Sequence, residues 1–121
     1  MKKILIVDDQ ADIRRLVELV VGSADRIILT AANGADAISI ARKEVPDLIF
    51  MDIMMPGEVD GYQATRVLKA DVKTARCPII AMTAKISREE REQALTSGVD
   101  AFLGKPFQLT ELREKIARFL G

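Results

Sequence analysis

Five short, almost purely apolar runs recur at intervals along the chain, at residues 4–7, 27–29, 48–51, 79–82 and 101–103. They are rich in Ile, Leu and Val and do not alternate with polar residues. Continuous apolar character over so few residues suits strands covered on both faces rather than strands with one wet face. Between and after the runs the apolar spacing changes to that of a helix. Ile13, Leu16, Val17 and Val20 follow the i, i+3, i+4, i+7 rule, and Leu109, Leu112 and Ile116 do so with Phe119 and Leu120 beyond. Ala37, Ile38, Ala41 and Val45 mark a second helix, and Ala64, Val67 and Leu68 a third. A fourth is announced by Ser87-x-x-Glu90, the pattern of a capping box, and closes near Gly98. Its apolar stripe is thin, so it is expected to be exposed and mobile.

Strand and helix thus alternate five times, with no repeat, linker or low-complexity stretch. This is the pattern of one α/β domain over residues 1–121, with a parallel sheet and right-handed crossovers. Ligands in such sheets bind beyond the carboxyl ends of the strands, where the strand order reverses. The residues that end each strand are therefore the informative ones.

The first run ends in Asp8-Asp9, the third in Asp52, the fourth in Thr83, and the fifth leads to Lys105-Pro106. A parallel sheet gathers these three carboxylates, one hydroxyl and one ammonium at a single edge. Singly, each has a plain structural explanation: Asp8 or Asp9 caps the helix that begins near Ala11, Thr83 ends a strand, and Lys105 is a solvated loop charge. Together they are harder to explain so. Two carboxylates about 5 Å apart repel by roughly 3 kcal/mol at an effective dielectric near 20. Left uncompensated, a third would raise at least one pKa or splay the loops. A hard divalent cation removes the conflict, and Mg²⁺ combines one or two carboxylates with waters that a phosphate can replace. Thr83 and Lys105 then stand as donors for an anion beside the metal.

Composition narrows the remaining options. Basic and acidic residues number 18 each, so no basic footprint for nucleic acid is present. No apolar run approaches the roughly 20 residues of a membrane span, and the start lacks a signal-peptide core. Cys77 is the only cysteine, which fits a reducing cytoplasm and reads as a small core residue before Pro78. The chain has no histidine, which excludes a Ser-His triad, His-ligated zinc and an imidazole base.

The ordered stretches ILIVDD, DLIFMDIMMPG, DGY at 60–62, PIIAMTA and GVDAFLGKPF carry a family resemblance. Over essentially its full length the chain resembles the receiver domain of two-component response regulators, of the stand-alone, single-domain type. The resemblance implies a flavodoxin-like, doubly wound sheet of five parallel strands in the order 2-1-3-4-5 with five helices. It implies Asp52 as the phosphoacceptor, taking a phosphoryl group from a phosphohistidine on a histidine kinase or histidine phosphotransfer protein. Mg²⁺ would be held by Asp9 directly, Asp8 mainly through water, Asp52, and the backbone carbonyl of Met54. Thr83 and Lys105 would bind the phosphoryl oxygens, and the Lys105-Pro106 bond would be cis. Thr83 and Phe102 would form the switch: Thr83 moves toward the phosphate and Phe102 turns inward. Partner affinity would then change on the face of the fourth helix, fifth strand and fifth helix. The implied protein is a cytoplasmic monomer or weak phosphorylation-dependent dimer without nucleic-acid or membrane partners, and it catalyses only its own phosphorylation and slow dephosphorylation. Without histidine it cannot be its own phosphohistidine donor.

Three places depart from the family pattern. The turn from Pro56 to Asp60-Gly61 is one residue longer than usual, position 54 is Met and position 85 is Lys. The last two positions influence attack of water on the phosphoryl group in the family. Met54 cannot hydrogen-bond a water through its side chain, so dephosphorylation is expected to be slow. An unchanged phosphate half-life in Met54→Asn would count against this. The plainer reading is that Met54 and Met55 fill space beside Met51 and Met82. A receiver-like interaction module that is never phosphorylated and a Mg²⁺-dependent hydrolase with an Asp nucleophile remain alternatives. The hydrolase family puts its Asp-x-Asp motif after strand one, unlike the adjacent acids here. A flavodoxin would share the architecture, but the loop DDQAD repels an anionic flavin cofactor. Both ends of the chain suit a free-standing domain or a trimmed piece equally.

Overall fold

The order of elements follows the alternation of the sequence: β1 (Lys2–Val7), α1 (Ala11–Val21), β2 (Arg26–Ala31), α2 (Gly34–Glu44), β3 (Leu48–Asp52), α3 (Gly61–Ala70), β4 (Ile79–Thr83), α4 (Arg88–Ser97), β5 (Ala101–Gly104) and α5 (Leu109–Leu120). These come from a computed structural model that describes residues 1–55, 57–84 and 87–120. The five strands form one parallel sheet in the order β2-β1-β3-β4-β5. The reversal of strand order lies between β1 and β3, and Val7 there pairs with Met51 in register. On the other side of β3, Asp52 is level with Met82. The last residues of β1, β3 and β4 therefore reach the same rim, which is how strands distant in sequence build one site.

Alternate residues of each strand feed two apolar layers. Leu5, Val7, Ile49, Met51, Ile79 and Ala81 pack toward α2, α3 and α4. Ile4, Ile6, Leu48, Phe50, Ile80 and Met82 pack toward α1 and α5. Both faces of the central strands are thereby buried, as their continuous apolar runs require. The edge strand β2 differs: its residues are mostly half-covered and Ile27 is exposed. It has one strand neighbour, β1, and correspondingly less cover.

Several helical expectations need correction. Leu16, Val45, Val67 and Leu109 are exposed rather than part of the apolar face. Val17 and Val21 are the buried residues of α1, so its stripe is rotated away from Leu16. Val45 lies past the end of α2 as its C-cap, and Leu109 is the first residue of α5. Neither Asp8 nor Asp9 caps α1; Gln10 occupies that position without a side-chain bond. At α4 the Ser87 side chain accepts the Glu90 N–H, and Gly98 closes the helix at φ 103°. Only Ala94 and Ser97 of this helix are buried, in keeping with its thin stripe. A complete reciprocal capping box stands at Asp60 and Gln63, where sequence reading had not sought one. Pro56 and Lys85, two of the positions at which the chain departs from the family pattern, lie outside the described residues.

Candidate phosphoacceptor and metal site

The buried end of β3 delivers Asp52 to the rim, with the residue only 4% exposed. One of its carboxylate oxygens, Oδ1, accepts the Met54 N–H at 3.1 Å and lies 3.4 Å from Lys105 Nζ. Asp8, at the end of β1, is fully buried. Its Oδ2 accepts from Lys105 Nζ at 2.5 Å, while its Oδ1 accepts the Gln10 N–H at 2.9 Å. Lys105, after β5, thus spans the two buried acids, and the bond to Pro106 that follows it is cis. Asp9 stands beside them, exposed. One carboxylate oxygen from each of Asp8, Asp9 and Asp52 lies within 4.8 Å of the other two. Thr83 ends β4 and is buried at the same rim, in register with Gly104.

One ammonium among three carboxylates leaves negative charge in excess. The Asp52 carboxyl, buried in this setting, is pushed up to about 7. Burial is the chief cause, and the Asp8 carboxylate adds to it; Lys105 and the Met54 N–H pull the other way. The donor set is carboxylate oxygen with no nitrogen or sulfur, which suits a hard cation such as Mg²⁺. A cation seated there would offset the charge that Lys105 leaves unmatched.

All the residues singled out in the sequence at the strand ends converge here. Phe102 sits apart from the acids, half-buried on β5 and facing α4 with Thr83 on the same narrow cleft. Met54 departs from the space-filling explanation, since the residue is 69% exposed, whereas Met55 is buried as expected. Three further contacts were not foreseen from the sequence, although Gly61 and Tyr62 belong to the DGY stretch that carries the family resemblance. Arg14 of α1 donates from Nη1 to the Asp8 backbone carbonyl at 2.7 Å and so braces the acidic turn. The Tyr62 hydroxyl donates to the Glu90 carbonyl at 3.2 Å, joining α3 to α4. At Gly61 a Cβ would lie 2.1 Å from the Asp52 carbonyl oxygen, so the start of α3 presses against the end of β3. Arg14 had a signal, a cation inside an amphipathic helix six residues after Asp8; the other two depend on tertiary placement.

Comparison with known proteins decides the family. The profile of the response regulator receiver domain matches residues 4–117. The chain belongs to the response regulator receiver domains. Protein PilH of Pseudomonas aeruginosa is 37% identical to this receiver domain over 121 residues, covering 100% of this chain and 99% of that protein. "Probable transcriptional regulator ycf27" of Porphyra purpurea is 40% identical over 119 residues, covering 98% of this chain and 47% of that protein. The receiver domain thus spans about half the length of the ycf27 relatives that it matches. Among solved structures, the chemotaxis protein CheY4 of Vibrio cholerae superposes with a TM-score of 0.90 at 29% identity, with 98% of each chain covered. The receiver domain of the sensor histidine kinase PA1611 from P. aeruginosa, with a magnesium ion coordinated in its active-site cleft, gives 0.89 at 34% identity, covering 99% of this chain and 98% of that one. Receiver domains are signalling domains that interact with histidine kinases and downstream effectors. Among the described residues, no helix of this receiver domain is long and apolar enough to cross a membrane.

Proposed function

We propose that this receiver domain is a phosphoacceptor that takes a phosphoryl group onto Asp52 from a phosphohistidine on a histidine kinase or phosphotransfer protein. The observation that carries this reading is the meeting of Asp8, Asp9 and Asp52 within 4.8 Å, with Lys105 Nζ 3.4 Å from Asp52. An Asp52 oxygen attacks phosphorus, the P–N bond breaks, and its electron pair leaves with the imidazole, which takes up a proton. The attacking carboxylate must be ionised, and Lys105 favours that form. Phosphoryl transfer asks the protein chiefly for in-line positioning and stabilisation of charge on the equatorial oxygens. The buried end of β3 supplies the positioning. Lys105 and the Thr83 hydroxyl are the donors for those oxygens.

Asp9, Asp52 and the Met54 backbone carbonyl would hold Mg²⁺, with Asp8 acting mainly through water. Bound there, the ion would neutralise charge on the acids and the phosphoryl group. The magnesium in the cleft of the related PA1611 receiver domain supports this assignment. After transfer, Thr83 moves toward the new anion and Phe102 turns into the space beside it. The surface of α4, β5 and α5 is then the face whose affinity for a downstream protein changes.

The test is direct. Incubate the protein with Mg²⁺ and acetyl phosphate, and measure intact mass for wild type and Asp52→Ala. The expected result is a metal-dependent gain of one phosphoryl group that the variant lacks. No gain selects an interaction module, and many turnovers of phosphodonor per protein select a hydrolase.

A further inference from the structure

Of the three acids, Asp9 is the one least held by its own side chain. It is exposed, and among the described residues no N–H donor bonds its carboxylate. Where its oxygens stand is therefore set by the backbone on either side, and that backbone is pinned. The Asp8 N–H donates to the Ala31 carbonyl of β2 at 3.1 Å, and the Gln10 N–H donates to Asp8 Oδ1 at 2.9 Å. The third pin is Arg14. Its Nη1 donates at 2.7 Å to the Asp8 carbonyl, the oxygen of the peptide that joins Asp8 to Asp9. Among the described residues that carbonyl has no backbone donor. Arg14 is the fourth residue of α1, and helical side chains lean toward the start of their helix, which carries the guanidinium back over the turn. It is half-buried and forms no ion pair with a carboxylate among the described residues, although Asp9 and Asp12 are close in sequence. The cation is aimed at a peptide rather than at an acid.

We infer that Arg14 is a positioning residue for the metal: by fixing the Asp8–Asp9 peptide it holds the Asp9 carboxylate where it meets Asp52 around one cation. This rests on the proposed phosphoacceptor function. Arg14 acts on a bound cation in two ways of opposite sign. Its charge repels Mg²⁺, so the charge alone weakens binding. Its hydrogen bond spares the site the ordering of a loose ligand, so the bond strengthens binding. The repulsion is screened by water and salt at a half-exposed guanidinium. The bond acts on the ligand's own peptide and is not diluted in that way, so positioning prevails.

Arg14→Met tests the assignment, because it keeps an apolar stem and removes both donor and charge. Arg15→Met is the control: Arg15 is exposed and makes no hydrogen bond or ion pair among the described residues, so its loss removes charge alone. Mg²⁺ binding is measured by calorimetric titration at pH 8, and the Mg²⁺ dependence of phosphorylation by acetyl phosphate is followed by intact mass. Arg14→Met is expected to bind Mg²⁺ roughly 10-fold more weakly, the low end for groups that orient metal ligands. The Mg²⁺ concentration for half-maximal phosphorylation should rise in parallel, with the rate at saturating Mg²⁺ close to wild type. Arg15→Met should bind the ion as tightly as wild type or slightly more so. Unchanged or tighter binding in Arg14→Met overturns the assignment, and so does an equal loss in both variants. Circular dichroism in EDTA reports whether Arg14→Met is folded. If it is not, Arg14→Lys takes its place, since its ammonium keeps the charge but falls one atom short of Nη1 and lacks the guanidinium's directed fork. Weakened binding in that variant supports the assignment, and wild-type affinity overturns it. A wild type that binds no Mg²⁺ and accepts no phosphoryl group strikes the phosphoacceptor reading itself, which distinguishes the two failures.

Discussion

Asp52 carries the tension of the site. Its folded-state carboxyl titrates near 7 against an ordinary value of 3.8, so the folded chain holds this proton more tightly than the unfolded chain. The associated stabilisation is complete below about pH 4 and is lost as pH rises through about 7. Above that pH the folded protein keeps a buried carboxylate beside Asp8. Removing that charge while keeping the shape should therefore help the fold. Asp52→Asn is expected to raise the metal-free Tm by several degrees at pH 8, with the advantage shrinking toward pH 4. Thermal unfolding across that range in EDTA measures it, and equal Tm values at pH 8 would contradict the electrostatic account. The placement of the acids, Thr83 and Lys105 at one rim was legible in the sequence because each ends or directly follows a strand of recognisable composition. The pairing of Lys105 with Asp8 as well as Asp52 was not, since it depends on which oxygen the loop after β5 presents.

At the scale of elements, the strands and four of the helices were legible from apolar period and α4 from its capping pattern, whereas the sheet order came only with the family resemblance, and helix faces and caps were less legible. A period locates a stripe only to within a residue or so, and Leu16 and Val17 of α1 show the cost of that ambiguity. The start of α3 is instructive because two local rules act together. Asp60 and Gln63 close the capping box, and Gly61 between them lets the helix approach the Asp52 carbonyl. A Cβ at Gly61 would also lie 2.7 Å from the Ile53 Cα, so relief requires moving the backbone that bears Asp52. Gly61→Ala is expected to destabilise the fold by about 2 kcal/mol or more, as clashes with backbone do. It should also slow phosphorylation by more than the loss of folded protein explains. Denaturant titration together with the mass assay separates the two effects. Full stability and full rate in this variant would show that the close approach is dispensable.

Across the whole molecule, a divalent cation held by Asp8, Asp9 and Asp52 as proposed would compete with protons for one set of oxygens. Binding to the folded state alone stabilises by about 2.7 kcal/mol at a ligand concentration one hundred times Kd. Because the proposed site needs ionised carboxylates, Mg²⁺ is expected to raise Tm clearly at pH 8 and little at pH 5.5. Calorimetric titration near pH 6.5 should show proton release on binding, seen as a heat that changes with the ionisation enthalpy of the buffer. Equal thermal shifts at both pH values would place the ion elsewhere.

The division of the interior into two apolar layers by the sheet has a consequence for how such a chain diverges. Val17, Val21, Leu112 and Ile116 consolidate one layer, while Tyr62, Ala94 and the ring of Phe102 belong to the other. A substitution beneath α1 therefore meets a different set of neighbours from one beneath α4, and the sequence can drift in one layer while the other keeps its packing.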